Sequence, residues 1–431
     1  MAMVVKNNMS AISTLNTLNK NSSALSKSLQ KVSSGMKING AADDASGYAI
    51  SERMRVQIRG LDQANQNTQN GSSMMKVAEG AVSSTVDILK TLKEKVINAA
   101  NDTNTDADRQ TIQKELDQSI DQINDNANVT YNGKYLVDGS HNSKVTPTTT
   151  AMTNQSLNTN ATFASAFTSL TDRNGNSLNI QSSDTITLSY VKEGKTNTVT
   201  ITAGTASISD LIGKVSTDLT TGEATSVIGK DVAGDTVYTA DGKPALTIKA
   251  AADGIEGQIS GITFSVTDTK GNVKKSANAL LDNFSESIRA QNQSNDNSIN
   301  LQVGTKSNQA IKVGLTDMRA EALGLQAKDG TTLNISTKEY ANAAINVLDS
   351  AVQKALDQQT TIGAVQSRLE YTSSNLTTAS ENVQASESTI RDADMAKEMT
   401  NYTKNNVLMQ AAQAMLSQAN QSSSSVLSLL Q

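Results

Sequence analysis

The chain has 431 residues, enough for roughly two to four domains, yet only 37% are apolar and 3% aromatic, with no Trp and no Cys. Its net charge is −5, from 37 basic and 42 acidic residues. These figures exclude disulfides, thiolate metal sites and Cys nucleophiles and give no sign of a nucleic-acid footprint; the small aliphatic side chains suit long helices packed side by side better than one deep core.

In chain order, residues 1–42 carry five Lys and no acid, with Ile12, Leu15, Leu18, Leu25, Leu29, Val32 and Met36 at helical spacing. "MSAISTLNTLNKNS" breaks every apolar pair with polar residues, so no signal-peptide core is expected, and no stretch approaches the about 18 apolar residues that span a bilayer. The pattern breaks in "SSGMKINGAADDASGYAI" (33–50) at Gly35 and Gly40. Asp43 and Asp44 then open the next helix, where the macrodipole favours acids. That helix carries Leu61, Ala64, Thr68, Gly71, Met75, Ala78, Val82, Thr85, Leu89, Leu92, Val96 and Ala99 in alternating steps of three and four, small residues first, as if to let a partner helix come close. A third helix follows with the stripe Ile112, Leu116, Ile120 and Ile123. Tyr131–Asn132–Gly133 then signals a type I′ hairpin.

From about 141 to 298 the chain turns rich in Thr, Ser, Asn and Gly and holds both prolines, Pro147 and Pro244. "TITLSYVKEGKTNTVTIT", "VYTADGKPALTIK" and "GITFSVTDTKGNV" read as strands with turns, and "ISDLIGKVSTDL" as an amphipathic helix. Beyond it, Leu348, Ala355, Ile362, Leu369, Leu376, Val383 and Ile390 recur every seventh residue, a coiled-coil seam in a rod of roughly 63 Å. Gln359, Gln366 and Ser373 interrupt its second row. Residues 405–431 carry no charge, with Leu408, Ala412, Met415, Ala419, Val426 and Leu430 as an apolar stripe. Neither terminal segment buries its stripe alone, so both are expected to be disordered in a monomer and ordered against other copies.

Candidate chemistry is thin. Glu193–Gly194–Lys195–Thr196 echoes a phosphate loop, but Ser189 occupies the position of the first Gly, and a hairpin turn explains it. Asp102, Asn104, Asp106 and Asp108 start like a calcium loop, but Ala107 and Gln113 replace its Gly and its bidentate Glu, so helix capping is the expectation. Asp43 and Asp44 are helix neighbours that point apart and form no catalytic dyad. His141 is the only histidine, read as a solvated loop residue. No enzyme, cofactor or metal site is expected.

"LNKNSSALSKSLQKVSSGMKINGAADDASGYAISERMRVQIRGLDQANQNTQNGSSMMKVAEGA" resembles the amino-terminal signature of bacterial flagellin. "LQVGTKSNQAIKVGLTDMRAEALGL" (301–325) and "ESTIRDADMAKEMTNYTKNNVLMQAAQAMLSQANQSSSSVLSLLQ" (387–431) resemble its carboxy-terminal half. The resemblance implies a mainly α fold with an inserted β-rich domain: 1–40 plus 395–431 as an inner coiled coil, 41–140 plus 299–394 as a long antiparallel helical rod, and 141–298 as a variable surface domain. Residues 33–50 would be the spoke between inner helix and rod. The implied function is a structural subunit that polymerises into the flagellar filament, exported unfolded through the flagellar type III channel to the cell exterior. Its implied partners are other copies, an export chaperone on the carboxy-terminal helix, the filament cap and hook-junction proteins, with no nucleic acid and no membrane. A hook–filament junction protein and a coiled-coil surface adhesin are the rival readings. The resemblance also puts the surface facing flagellin's Toll-like receptor at Lys90, Thr91, Lys95 and Glu115. The family's arginine and leucine fall at Thr91 and Lys95, which implies weak recognition.

Overall fold

The structure, a computed structural model, describes residues 8–222 and 224–428, with side chains through Ser422. The Val426 side chain and Leu430 therefore lie outside the described residues. The described helices are α1 (Met9–Ser34), α2 (Ala45–Ala99), α3 (Asp106–Ala127), α4 (Ile208–Gly213), α5 (Lys275–Leu281), α6 (Ala320–Leu323), α7 (Lys338–Arg391) and α8 (Met395–Ser428). The chain divides into two compact units. One comprises the residues up to Asn67, Val303–Gln309 and those from Tyr371 onward; the other comprises Thr68–Gln302 and Ala310–Glu370.

In the first unit, Asn8 caps α1 by accepting from the Ala11 N–H at 3.1 Å. The helix stops at Gly35, whose φ of 69° is the left-handed conformation that favours glycine, and whose N–H donates back to the Lys31 carbonyl. Gly40 has no positive φ, so only one of the two expected glycine hinges uses its freedom. Asp44 is the acid that opens α2, accepting from the N–H groups of Ser46 and Gly47 at 3.0 Å. Asp43 lies earlier in the turn and accepts from the Asn39 N–H at 3.1 Å. Further along, Leu61 and Ala64 pack with Leu376, Ala379 and Val383.

In the second unit, Met75, Ala78, Val82, Thr85, Leu89, Leu92, Val96 and Ala99 are all buried, as are Leu116, Ile120 and Ile123 of α3. Arg109, 5% exposed, closes the end of α2 by donating to the carbonyls of Ala99 and Asn101 at 2.8 and 3.0 Å. Strands β1 (Thr130–Tyr131) and β2 (Lys134–Tyr135) pair antiparallel across Asn132 and Gly133, both with positive φ. The insertion holds β3 (Ala151–Asn154), β4 (Thr185–Lys192), β5 (Lys195–Thr202), β6 (Leu219–Thr221), β7 (Val227–Lys230), β8 (Thr236–Tyr238), β9 (Leu246–Ala250), β10 (Ile259–Thr267) and β11 (Phe284–Ile288). They form a sheet in the order β10-β4-β5, another in the order β11-β3-β9-β6, and the pair β7-β8. Phe167, Ile186, Leu188, Leu211, Ile248 and Phe264 fill one core beneath the sheets, and Phe264 stacks on Phe284 with centroids 5.5 Å apart.

Strands β12 (Ile299–Gln302) and β13 (Ala310–Val313) form a further antiparallel pair. A Cβ at Gly71 would come within 2.7 Å of Leu301, and one at Gly60 within 2.9 Å of Thr305 in the strand connection. Gly71 thus makes room for Leu301 and Gly60 for the strand connection, while Leu61 and Ala64 of the same row meet Leu376, Ala379 and Val383 of α7, the partner helix the small residues suggest. A period of three and four locates the buried face but carries no information on what covers it.

Candidate assembly surfaces

Helices α1 and α8 lie antiparallel against each other. Asn8 Nδ2 donates to the Ala419 carbonyl (3.1 Å), Asn21 Nδ2 to the Leu408 carbonyl (3.2 Å) and Asn405 Nδ2 to Ser28 Oγ (3.1 Å). Lys31 meets Glu398 at 3.9 Å. One shielded row on α1 runs Ala11, Thr14, Leu18, Asn21, Leu25, Ser28 and Val32; one on α8 runs Glu398, Tyr402, Asn405, Met409, Ala412, Leu416 and Ala419. Both rows advance in steps of three and four, as two helices sharing a seam require. Residues 9–34 and 395–428 are therefore helical within one chain, where the sequence suggests disorder without other copies: the seam they share shields these rows.

The terminal stripe divides into two faces. Leu18, Leu25, Val32, Ala412 and Ala419 turn toward the seam. Ile12, Leu15, Leu29, Leu408 and Met415 are 41–62% exposed, joined by Met9 and Val407. Periodicity alone does not separate the two faces, because much of the inner row is polar. Asn21, Ser28 and Asn405 hold the pair by hydrogen bonds, which an apolar tally skips.

At the break between α7 and α8, the segment after Gly35 runs against residues 391–393. The Lys37 N–H donates to the Arg391 carbonyl (2.6 Å) and the Ala393 N–H to the Gly35 carbonyl (2.9 Å). Arg391, 6% exposed, donates from Nη1 to Glu52 Oε1 (2.6 Å) and from Nε to Met36 Sδ (3.2 Å), and lies 5.4 Å from the Tyr48 ring centroid. Its guanidinium holds the Glu52 carboxyl below the usual carboxylate range. Gly47 lets Asp44 and Ile38 sit close, since a Cβ would meet Asp44 Oδ2 at 2.5 Å and Ile38 Cδ1 at 2.7 Å and push one of them aside. Nothing in "ESTIRDADMA" singles Arg391 out, because its partners come from residues far away in sequence.

Of the heptad row, Leu348, Ala355, Ile362 and Leu369 are fully buried in the second unit; in the first, Leu376 is buried and Val383 and Ile390 partly so. Two interruptions of the second row are bonded: Gln366 Nε2 donates to Glu79 Oε2 (2.7 Å) and Ser373 Oγ to Asn65 Oδ1 (2.6 Å). Lys90 pairs with Asp87 at 3.3 Å, and Thr91 Oγ1 donates to the Asp87 carbonyl at 3.0 Å, both residues being exposed. Lys95 and Glu115 face each other across α2 and α3 as an ion pair of 3.0 Å, with side chains 40% and 52% exposed.

The acidic run after α2 serves as helix capping. Thr105 and Asp108 form a reciprocal capping box, which draws the Asp108 carboxyl below its usual range, and Asp102 pairs with Lys338 at 2.5 Å. Glu193 and Gly194 are the left-handed turn between β4 and β5, and His141 is half-buried rather than fully solvated, with Nδ1 3.3 Å from the Asn297 carbonyl. Among the described residues no three His, Cys, Asp or Glu side chains gather to hold a metal ion, and no helix is long and apolar enough to cross a membrane.

Paired terminal helices with an exposed apolar stripe, a long helix pair and no metal cluster among the described residues define the class: a helical protein with surfaces suited to packing rather than to chemistry. Residues 5–142 match the family model of the bacterial flagellin N-terminal helical region, and residues 345–430 that of the C-terminal helical region. The chain is 35% identical over 422 residues to flagellin of Clostridium tyrobutyricum, covering 97% of this chain and 99% of that one. It is 30% identical over 448 residues to flagellin of Bacillus subtilis (strain 168), covering 99% and 100%. The chain belongs to the bacterial flagellin family, and its function is that of a structural subunit of the flagellar filament. A crystal structure of the flagellar junction protein FlgL from Legionella pneumophila is similar over 79% of this chain and 99% of that one, at 16% identity and a TM-score of 0.33, too slight a likeness to bear on function.

Proposed function

We propose that the chain polymerises through the outward stripe of its terminal pair, with Met9, Ile12, Leu15, Leu29, Val407, Leu408 and Met415 packing against neighbouring copies. In this reading 1–40 plus 395–431 forms the inner coiled-coil layer. Residues 41–140 plus 299–394 form an antiparallel coiled-coil rod around it, and 141–298 is the surface insertion. The single observation behind it is that these seven large apolar side chains are exposed on two helices whose other face is already shielded. Their contacts would be heterologous and non-closing, as a helical filament requires. Export through the flagellar type III channel to the cell exterior belongs to the same reading. So do an export chaperone on α8, a cap at the growing tip and hook-junction proteins at the base. Removing residues 1–40 or 395–431 is expected to leave a soluble monomer that forms no filaments on salting-out, checked by electron microscopy. Filaments from either truncation would refute the proposal.

Weak recognition by flagellin's Toll-like receptor is the second part of the proposal. Thr91 has no guanidinium fork to offer, and Lys95 adds a hydrated charge that also engages Glu115. Thr91→Arg with Lys95→Leu is expected to raise affinity for the receptor ectodomain roughly 30- to 1000-fold. Native-strength binding by the unmodified chain, with no gain from the double change, would end this reading.

A further inference from the structure

Three buried polar side chains from three parts of the second unit converge: Lys354 of α7, 6% exposed; Gln258, immediately ahead of β10, 2% exposed; and Glu286 of β11, with a 7% exposed side chain. Glu286 Oε1 lies 3.4 Å from Lys354 Nζ, an ion-pair distance without hydrogen-bond geometry, and accepts no hydrogen bond. The hydrogen-bond network orients the Gln258 carboxamide so that its nitrogen donates to the Ala322 carbonyl (3.2 Å) and its oxygen accepts from Lys354 Nζ. Arg289 faces the group as well, 3.8 Å from Glu286 Oε2 and paired with Asp357. A buried ion pair adds little stability over apolar side chains of the same size. The chemistry the trio permits is therefore of more interest than its strength.

We infer that Lys354 and Gln258 are the two halves of an intramolecular isopeptide cross-link, with Glu286 carrying the proton between them. The reaction is aminolysis of a carboxamide. One proton passes from the Lys354 ammonium to Glu286, leaving a free amine. Burial favours that form: it pushes the Lys354 amine below its usual range, with the attraction of Glu286 opposing and the repulsion of Arg289 adding to the shift. The amine adds to the carboxamide carbon of Gln258, which already touches it through its oxygen, while protonated Glu286 hydrogen-bonds that oxygen. Glu286 then takes a proton from the attacking nitrogen and supplies one to the departing nitrogen. The bond to Gln258 Nε2 breaks, ammonia leaves, and an amide joins the two side chains. No oxidant, metal or external acid is needed. Fixed proximity replaces collision, and burial of the Lys354 side chain favours the free amine that attacks. Lys354 also lines a cavity of about 410 Å³ shared with Arg289 and Arg319, through which ammonia can depart. The product would tie the root of β10, in the insertion, covalently to α7.

The test is the intact mass of the full-length folded chain, followed by proteolytic mapping. The expected result is a mass lower by one ammonia and a single branched peptide containing Gln258 and Lys354 in place of two linear ones. Lys354→Arg is expected to keep the full sequence mass. Glu286→Gln, folded by circular dichroism, is expected to form the bond about 100-fold or more slowly. A folded unmodified chain that keeps its full mass after prolonged incubation, with the two peptides separate, overturns the assignment. Ammonia loss mapped to another residue does the same, and equal rates with Glu286→Gln would remove Glu286 from the reaction. Because the decisive readout is on the unmodified chain, a variant that fails to fold leaves the test intact.

Discussion

The insertion and the terminal helix pair solve the burial problem in opposite ways. The insertion closes on itself, with Phe167, Leu188, Leu211 and Phe264 inside and strands paired around them. The terminal pair shares a seam in which Leu18, Leu25, Met409 and Leu416 alternate with Asn21, Ser28 and Asn405, and turns Ile12, Leu15, Leu408 and Met415 outward. The difference teaches where stability is kept. A closed core of bulky side chains holds one chain together, whereas a narrow seam of mixed leucines and carboxamides orders two helices while leaving much of their apolar surface uncovered.

The sharpest way to break this comparison is to charge the outward face. Leu15→Glu combined with Met415→Glu is expected to abolish filament formation while leaving monomer helicity unchanged, since both side chains point away from the seam. Sedimentation and circular dichroism decide it; filaments at the usual protein concentration would mean the outward face is not a packing surface.

A smaller effect is expected at the junction of the terminal pair. Arg391→Ala removes the bonds to Glu52 and Met36 and the stacking on Tyr48, and is expected to cost about 1–3 kcal/mol, below a fully buried pair because Glu52 stays 42% exposed. Hydrogen exchange should quicken in residues 36–52 and leave the insertion unchanged. An unaltered exchange pattern would show that the backbone bridge alone holds the junction.

The mildest prediction sharpens the other side. Burial raises the carboxyl of Asp282 to about 6, against the Phe264 N–H (3.1 Å) and Asn346, which favour the charged form. Its native state prefers the neutral acid, so this contribution to stability is full below the ordinary carboxylate range and is lost as pH rises through about 6. Going from about pH 5 to about pH 8 should cost the insertion on the order of 1 kcal/mol. Asp282→Asn should flatten that slope in denaturant titrations, and the terminal pair should show none of it. An unchanged slope in the variant would assign the dependence to another group.

Much of the fold could be read before any coordinates. The rows from Leu61 to Ala99 and from Leu348 to Leu376 are buried as their period required, because a helix that long can hide its apolar side chains only along one stripe. The capping box at Thr105 and the turn at Glu193–Gly194 follow from local chemistry, which depends only on neighbours in sequence. Tertiary structure alone decided what covers each face. Leu301 and Thr305 fill the space over Gly71 and Gly60, Arg391 finds Glu52 and Met36, and Lys354 meets Glu286 and Gln258. It also separated Leu18 and Leu25 from Ile12 and Leu15, residues of one apolar stripe with different fates. The physical reason is the same throughout: periodicity names the side of a helix that avoids water, but a hydrogen bond or ion pair between distant residues exists only once the chain has brought them together.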